Sequence, residues 1–184
     1  MKNIILLSIA VFMMNAASLN AQGPEVVIPV PAEVTILEGS YIFDDAPAIK
    51  TRITHKGFSG PEEYQLTVTD KGIRISAMAE AGIFYGIQTV RHMTRDGQVK
   101  EIACCRIKDC PRFEYRGLHV DVSRHFRSIG FLKKQIDAMA FFKMNRMHLH
   151  LTDAAGWRLQ IDSYPRLTEF AAWRPQQTWK EWWS

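Results

Sequence analysis

The chain has 184 residues, a formal net charge of +4, 47% hydrophobic and 23% charged residues. That length accommodates one ordinary domain, or a small domain with part of a second. Charges alternate in sign along the chain rather than forming a basic block, which argues against nucleic-acid binding.

The first 22 residues read as a secretory signal peptide. Lys2 supplies a positive start, residues 4–14 are mostly apolar, and Ala16, Ala17 and Ala21 offer small cleavage positions. Asn15, Ser18 and Asn20 interrupt the run before it reaches the ~20 apolar residues of a membrane span. Export to the periplasm, cell surface or medium is expected, with no span left after cleavage. Residues 22–31 are extended and punctuated by proline. Short strands are predicted over 33–37, 40–43 and 63–69, the last with Tyr64, Leu66 and Val68 on one face. Asp70, Lys71 and Gly72 make a turn, and Ile73, Ile75 and Ala77 resume the alternation, so 64–77 is a hairpin. The period then lengthens: Ala81, Phe84, Ile87 and His92 mark a helix over 80–95. Gly82 and Gly86 on it give a smooth surface that can approach a sheet closely. A strand over 100–107 ends at Asp109, Cys110 and Pro111. Cys104, Cys105 and Cys110 are odd in number and lack Cys-x-x-Cys spacing, so buried hydrophobes are expected, with a disulfide from Cys110 left open. Residues 23–112 thus form an α+β domain of antiparallel strands with one helix across them.

After Pro111 the order is strand (117–122), helix (129–143), strand (147–152), which predicts a parallel crossover. Ser128 is an N-cap, Leu132, Ile136, Met139 and Phe142 face inward, and Asn145 takes the left-handed closing position. Residues 164–172 form a further helix or loop, capped by Asp162 or Ser163 with Pro165 in its first turn.

Polar residues gather at the carboxyl ends of both parallel strands, where such folds bind ligands: Asp121, Ser123, Arg124 and His125, then Asp153, Gly156, Trp157 and Arg158. Strand parity sets Arg116 with Leu118 and Val120, and His119 with Asp121 on the other face. His148 and His150 share a face, the arrangement of a metal-dependent barrel hydrolase, although further ligands would be needed. Trp157 beside Gly156 suits stacking on a sugar ring. Trp173, Trp179, Trp182 and Trp183 add an aromatic cluster. A non-catalytic carbohydrate-binding module is the other alternative, and Tyr41, Phe43 and Tyr64 are its few candidate aromatics.

Two long motifs sharpen this. The run Phe113-Glu114-Tyr115-Arg116-Gly117-Leu118-His119-Val120-Asp121-Val122-Ser123-Arg124-His125-Phe126 resembles the opening of the catalytic barrel in glycoside hydrolase family 20, the β-N-acetylhexosaminidases. So does Met144-Asn145-Arg146-Met147-His148-Leu149-His150-Leu151-Thr152-Asp153, followed by Gly156-Trp157-Arg158. Gly82-Ile83-Phe84-Tyr85-Gly86-Ile87-Gln88 resembles part of the small domain that precedes that barrel. The resemblance implies an α+β N-terminal domain followed by the first strands and helices of an incomplete (β/α)8 TIM barrel over 113–184. It implies hydrolysis of terminal β-linked N-acetylhexosamine from N-acetylglucosamine- or N-acetylgalactosamine-terminated glycans, without cofactor or metal. In that chemistry the substrate's own acetamido oxygen attacks the anomeric carbon, and an adjacent Asp-Glu pair supplies the acid and the stabiliser of the oxazoline. No Asp-Glu dipeptide occurs among the 184 residues, so the chain alone is expected to be inactive. Carried over by position, Arg116 contacts substrate hydroxyls, Asp153 is a supporting catalytic residue, and His150 and Trp157 line the substrate pocket with Arg158. Ala154 and Ala155 stand where the family often has a second acid. A complete barrel takes about 250 residues, so the expectation is a truncated chain.

Overall fold

Period-two alternation in the first half of the chain produces a five-stranded sheet. The computed structural model describes residues 21–174 with Thr178, Lys180 and Glu181. The signal segment over 1–20 and Trp179, Trp182 and Trp183 lie outside the described residues. Two compact units form: one runs through Glu114 and takes in Phe141–Lys143, the other holds Tyr115–Ala140 and the chain from Met144 onward.

In the first unit the strands are β1 (Glu33–Ile42), β2 (Ile49–Ile53), β3 (Tyr64–Thr69), β4 (Gly72–Ala77) and β5 (Glu101–Asp109), in the order β1-β5-β3-β4-β2. The hairpin pairs Tyr64 with Ala77 through Thr69 with Gly72. Gly72 supplies the positive φ of its turn, +130°. The runs expected at 33–37 and 40–43 are one strand, whose register to β5 slips between Ile36 and Ser40, where Gly39 has φ +89°. The expectation of an antiparallel sheet needs a correction, because β2 runs parallel to β4. Its Ile49, Thr51 and Ile53 alternate with Lys50 and Arg52, but only Ile49 is even half-buried, so no buried face marks this edge strand.

Helix α1 (Glu80–Met93) lies on one face of this sheet, over β3 and β4. The core under it holds Leu66, Val68, Ile73, Ile75 and Ile107. The two helix glycines set the approach: a Cβ on Gly82 would stand 2.4 Å from the Glu63 carbonyl oxygen, and one on Gly86 would stand 2.6 Å from Ile75 Cγ2. Tyr41, Phe43 and Tyr64 are all buried in this core, so they form no exposed aromatic row and give the binding-module reading no support. Tyr64 anchors a buried polar group. Its hydroxyl donates to Asp109 at 2.8 Å, receives a hydrogen bond from Lys143 at 2.8 Å and lies 2.5 Å from Thr89 Oγ1. Lys143 Nζ also meets Asp109 at 3.0 Å. Burial, then the Asp109 carboxylate, pushes the Tyr64 pKa upward, so the phenol stays a neutral donor. Cys104 and Cys105 are buried and Cys110 exposed, all as free thiols. Burial pushes the Cys105 thiol up to about 12, which keeps it protonated and inert.

In the second unit β6 (Gly117–Asp121), α2 (Ile129–Phe141) and β7 (Arg146–His150) make the parallel crossover. Ser128 caps α2 by accepting the Phe131 N–H at 3.2 Å. The left-handed closing position falls on Lys143 (φ 59°), not Asn145. The Met144 N–H reaches back to the Met139 carbonyl at 2.8 Å, the longer bond of a Schellman closure. Asn145 instead registers the strands, exchanging backbone and side-chain hydrogen bonds with the Arg116 backbone. Of the four residues expected inward on α2, Met139 is buried and Leu132 half-buried, whereas Ile136 and Phe142 are exposed. Two strands offer too little surface to cover a whole helix face. Beyond β7 the chain makes a two-strand hairpin, β8 (Thr152–Asp153) and β9 (Gly156–Trp157), and one short helix, α3 (Arg166–Glu169). Pro165 occupies the cap of α3, and no side-chain capping bond from Asp162 or Ser163 forms there.

Gly82→Ala sets a methyl group against a carbonyl that cannot retreat. Overpacking costs of about 1–3 kcal/mol at the upper end outweigh the roughly 1 kcal/mol gain in helix propensity. We expect a net loss near 2 kcal/mol in urea unfolding, and a smaller loss for Gly86→Ala, where the Ile75 side chain can shift. An unchanged or raised midpoint for Gly82→Ala would remove the close-approach account.

Candidate functional site

The carboxyl ends of β6 and β7 carry the site. Parallel pairing sets His119 opposite His148 and Asp121 opposite His150, and the Val122 N–H extends it to the His150 carbonyl at 3.1 Å. The two faces that parity separates by strand thus meet: His119 stacks obliquely at 4.7 Å from His148 and 6.0 Å from His150, ring centre to ring centre.

Asp121 Oδ1 accepts the N–H groups of Ser123 and Arg124, both at 3.0 Å, which bends the chain sharply past the strand end. This turn brings the Arg124 guanidinium back over the strands. Its Nη1 meets Asp121 Oδ2 at 2.8 Å, and its Nη2 meets Asp153 Oδ2 at 2.6 Å. Nη1 also lies 3.1 and 3.2 Å from the two ring nitrogens of His150. His150 Nε2 is 3.2 Å from the same Asp153 oxygen, and Asp153 Oδ1 accepts the Ala154 N–H at 2.6 Å. Partial burial acts to raise the Asp121 pKa, but the Arg124 N–H, its guanidinium and the Ser123 N–H outweigh it and hold the carboxyl below the usual range.

The hairpin is pinned beneath this cluster. Buried Ser123 donates its hydroxyl to the Gly156 carbonyl at 2.7 Å. Arg158 donates to the carbonyls of Val122 (3.0 Å), Ser123 (3.2 Å) and Ala172. A Cβ on Gly156 would stand 2.6 Å from that guanidinium and 3.1 Å from the Ser123 carbonyl oxygen, so the glycine lets the hairpin lie close to both. Arg158 therefore clamps the loops through backbone oxygens. Trp157 is half-buried, its indole N–H given to the Leu159 carbonyl at 2.5 Å.

The structure brings His150, Asp153 and Trp157 to the carboxyl end of the strand pair. Arg116 precedes β6, where its backbone pairs with Asn145. Arg124, one of the polar residues expected at this edge, follows the strand and stands beside His150 and Asp153. Parity could not find Arg124, because it follows the strand and its direction is set by the Asp121 turn. A signal was nonetheless available: it is the cation at the carboxyl edge, where parallel sheets bind ligands. With five guanidinium donors, Arg124 keeps its Nε–H and one Nη2–H without a partner among the described residues. The metal reading of His148 and His150 loses ground, since a guanidinium lies against His150. Among the described residues, no three His, Cys, Asp or Glu side chains are arranged to hold a metal ion.

Comparison with known proteins matches residues 113–182 to the model "Glycosyl hydrolase family 20, catalytic domain" and residues 44–110 to "Glycosyl hydrolase family 20, domain 2". The chain is 45% identical over 118 residues to a beta-hexosaminidase of Akkermansia muciniphila, covering 62% of this chain and 24% of that protein. A beta-hexosaminidase of Vibrio vulnificus is 35% identical over 178 residues, covering 80% of this chain and 21% of that protein. The chain thus spans about a quarter or less of the length of these two relatives. Among solved structures it is similar to a Streptomyces plicatus N-acetyl-beta-hexosaminidase, with TM-score 0.74 and 29% identity over 84% of this chain and 40% of that one.

A carbon-detected NMR titration of Asp121 should give a midpoint below the ordinary ~3.9, and Arg124→Met should move it up. A carboxyl with a lowered folded pKa adds stability above its unfolded value and loses it as pH falls through the folded one. Any Asp121 contribution therefore disappears on the acid side and shrinks in the variant. An unmoved midpoint would break the assigned pairing.

Proposed function

Because the chain belongs to glycosyl hydrolase family 20, we propose that the protein it helps build hydrolyses terminal β-linked N-acetylhexosamine residues. Its substrates are glycans ending in N-acetylglucosamine or N-acetylgalactosamine. One observation supports this most: a guanidinium with spare donors, held between two carboxylates and an imidazole at the carboxyl ends of two parallel strands. In this reading the β6–α2–β7 unit is the opening of a (β/α)8 barrel, whose ligands bind at that end.

Arg124 grips ring hydroxyls of the terminal sugar through its free N–H groups. Asp121 and Asp153 keep the guanidinium from swinging to solvent, so little side-chain freedom remains to be lost on binding. Asp153 and His150 shape the pocket floor, and the half-buried Trp157 offers part of its wall. The chemical step is substrate-assisted: the acetamido oxygen attacks the anomeric carbon, the glycosidic oxygen leaves with a proton, and water opens the oxazoline. The proton donor and the group that steadies the oxazoline are an Asp-Glu pair, and none occurs in these 184 residues. The residues described here bind and orient, and the chain alone turns nothing over. Export is part of the same proposal, supported by Lys2, the apolar run over 4–14 and the small residues after it.

The source reading frame, continued past Ser184, should encode an Asp-Glu pair, and its product should cleave a chromogenic N-acetyl-β-glucosaminide while the 184-residue chain does not. In the active product, Arg124→Ala removes two or so charged hydrogen bonds at roughly 1.5–3 kcal/mol each, so kcat/KM should fall by about 100-fold or more. Arg116→Ala, at the position the family motif aligns with sugar-hydroxyl contact, should also lower kcat/KM; an unchanged value at either arginine would remove that residue from the pocket, and an inactive product carrying the pair would sink the hydrolase reading.

A further inference from the structure

The face of the five-stranded sheet opposite α1 carries a feature that the hydrolase site does not use. Alternation puts Leu66, Val68, Ile73 and Ile75 into the core, so the intervening residues face outward. Strand register lines those up in two rows. Thr35, Arg106, Thr67, Arg74 and Lys50 are successive partners across β1, β5, β3, β4 and β2, and Glu33, Lys108, Gln65, Ser76 and Arg52 form the next row. Five cations and one acid share a surface ~19 Å across, at ~4.8 Å per strand, with ~7 Å between rows.

All five cations are exposed. Lys108 lies 3.5 Å from the buried Glu63 carboxylate. Lys50, Arg52, Arg74 and Arg106 have no side-chain hydrogen bond or ion pair among the described residues. Arg74 sits directly opposite Lys50, and like charges across a strand pair repel. Charge on edge strand β2 guards against edge pairing, but Arg74 and Arg106 lie on interior strands, where there is no edge to guard. Between β1, β5 and β3 the face dips into a depression of about 240 Å³, lined by Glu33, Thr35, Gln65, Thr67, Arg106 and Lys108.

We propose that this face binds an anionic glycan, a strand bearing sulfate or carboxylate groups, through Arg106, Arg74 and the cations flanking them. Thr35, Thr67, Gln65 and Ser76 lie among the charges and hydrogen-bond sugar hydroxyls. Neither row carries an aromatic ring for base stacking, which favours a saccharide over single-stranded nucleic acid. The choice of a glycan rests on the hexosaminidase reading above; the charge geometry does not.

The test is calorimetric titration of the 184-residue chain with a sulfated heparin oligosaccharide, a neutral N-acetylglucosamine oligomer and a short DNA duplex, at low and moderate salt. The sulfated oligosaccharide should bind at least tenfold more tightly than either comparator. Arg74→Ser with Arg106→Ser should weaken it at least tenfold and flatten the dependence of log K on log salt, by ~0.7–0.9 per charge if the relation for nucleic acids carries over. Glu33→Gln, which removes the single acid of the two rows, should tighten binding two- to threefold and serves if the double variant does not fold. Equal binding by parent and variants, or equal binding of DNA or of the neutral oligomer, overturns the proposal. The readout is binding to the first unit, so it is unaffected by whether N-acetylhexosaminides are hydrolysed.

Discussion

Parallel pairing of β6 and β7 with Asp121 opposite His150 is the constraint on which the site depends. In that register Asp121 can bend the chain through its Oδ1, and Arg124 returns over His150 to reach Asp153. A slip of one residue would set Leu118 and Val120, rather than His119 and Asp121, beside His148 and His150. Asn145 guards against the slip, because both its backbone N–H and its side-chain oxygen are bound to the Arg116 backbone at the strand start.

Two arginines eight residues apart in one motif stand at opposite ends of the same strand. Arg116 precedes β6 and Arg124 follows it. A third, Arg158, spends its guanidinium on three backbone carbonyls, which fixes the loops but leaves less for a ligand. Arg124 is bound to two carboxylates on one side, and its Nε–H and one Nη2–H keep no partner among the described residues on the other.

The first unit shows a comparable economy in its polar interior. Tyr64 meets Thr89, Asp109 and Lys143, and the Asp109 carboxylate also accepts the Ala32 N–H at 3.1 Å. A buried ammonium and carboxylate are tolerable in such a place when their hydrogen bonds are filled. Helix α1 approaches the sheet through Gly82 and Gly86, so one sheet face is tightly covered while the other is left polar and cationic.

The residues alone determined much of this protein. Alternation at Tyr64, Leu66 and Val68 and at Ile73 and Ile75 marked the hairpin, the longer period after Glu80 marked α1, and the two barrel-like motifs placed β6, α2, β7 and the polar edge. These are local signals, repeated along one element and needing no partner to be legible. Tertiary structure decided the rest. Edge strand β2 buries almost none of its side chains and is held by its pairing with β4. The left-handed end of α2 fell on Lys143 rather than Asn145, because Asn145 is needed at the strand start. Arg124 rather than Arg116 faces His150 and Asp153, because the direction of a side chain beyond a strand end is set by the turn that Asp121 holds, and parity stops where the strand does.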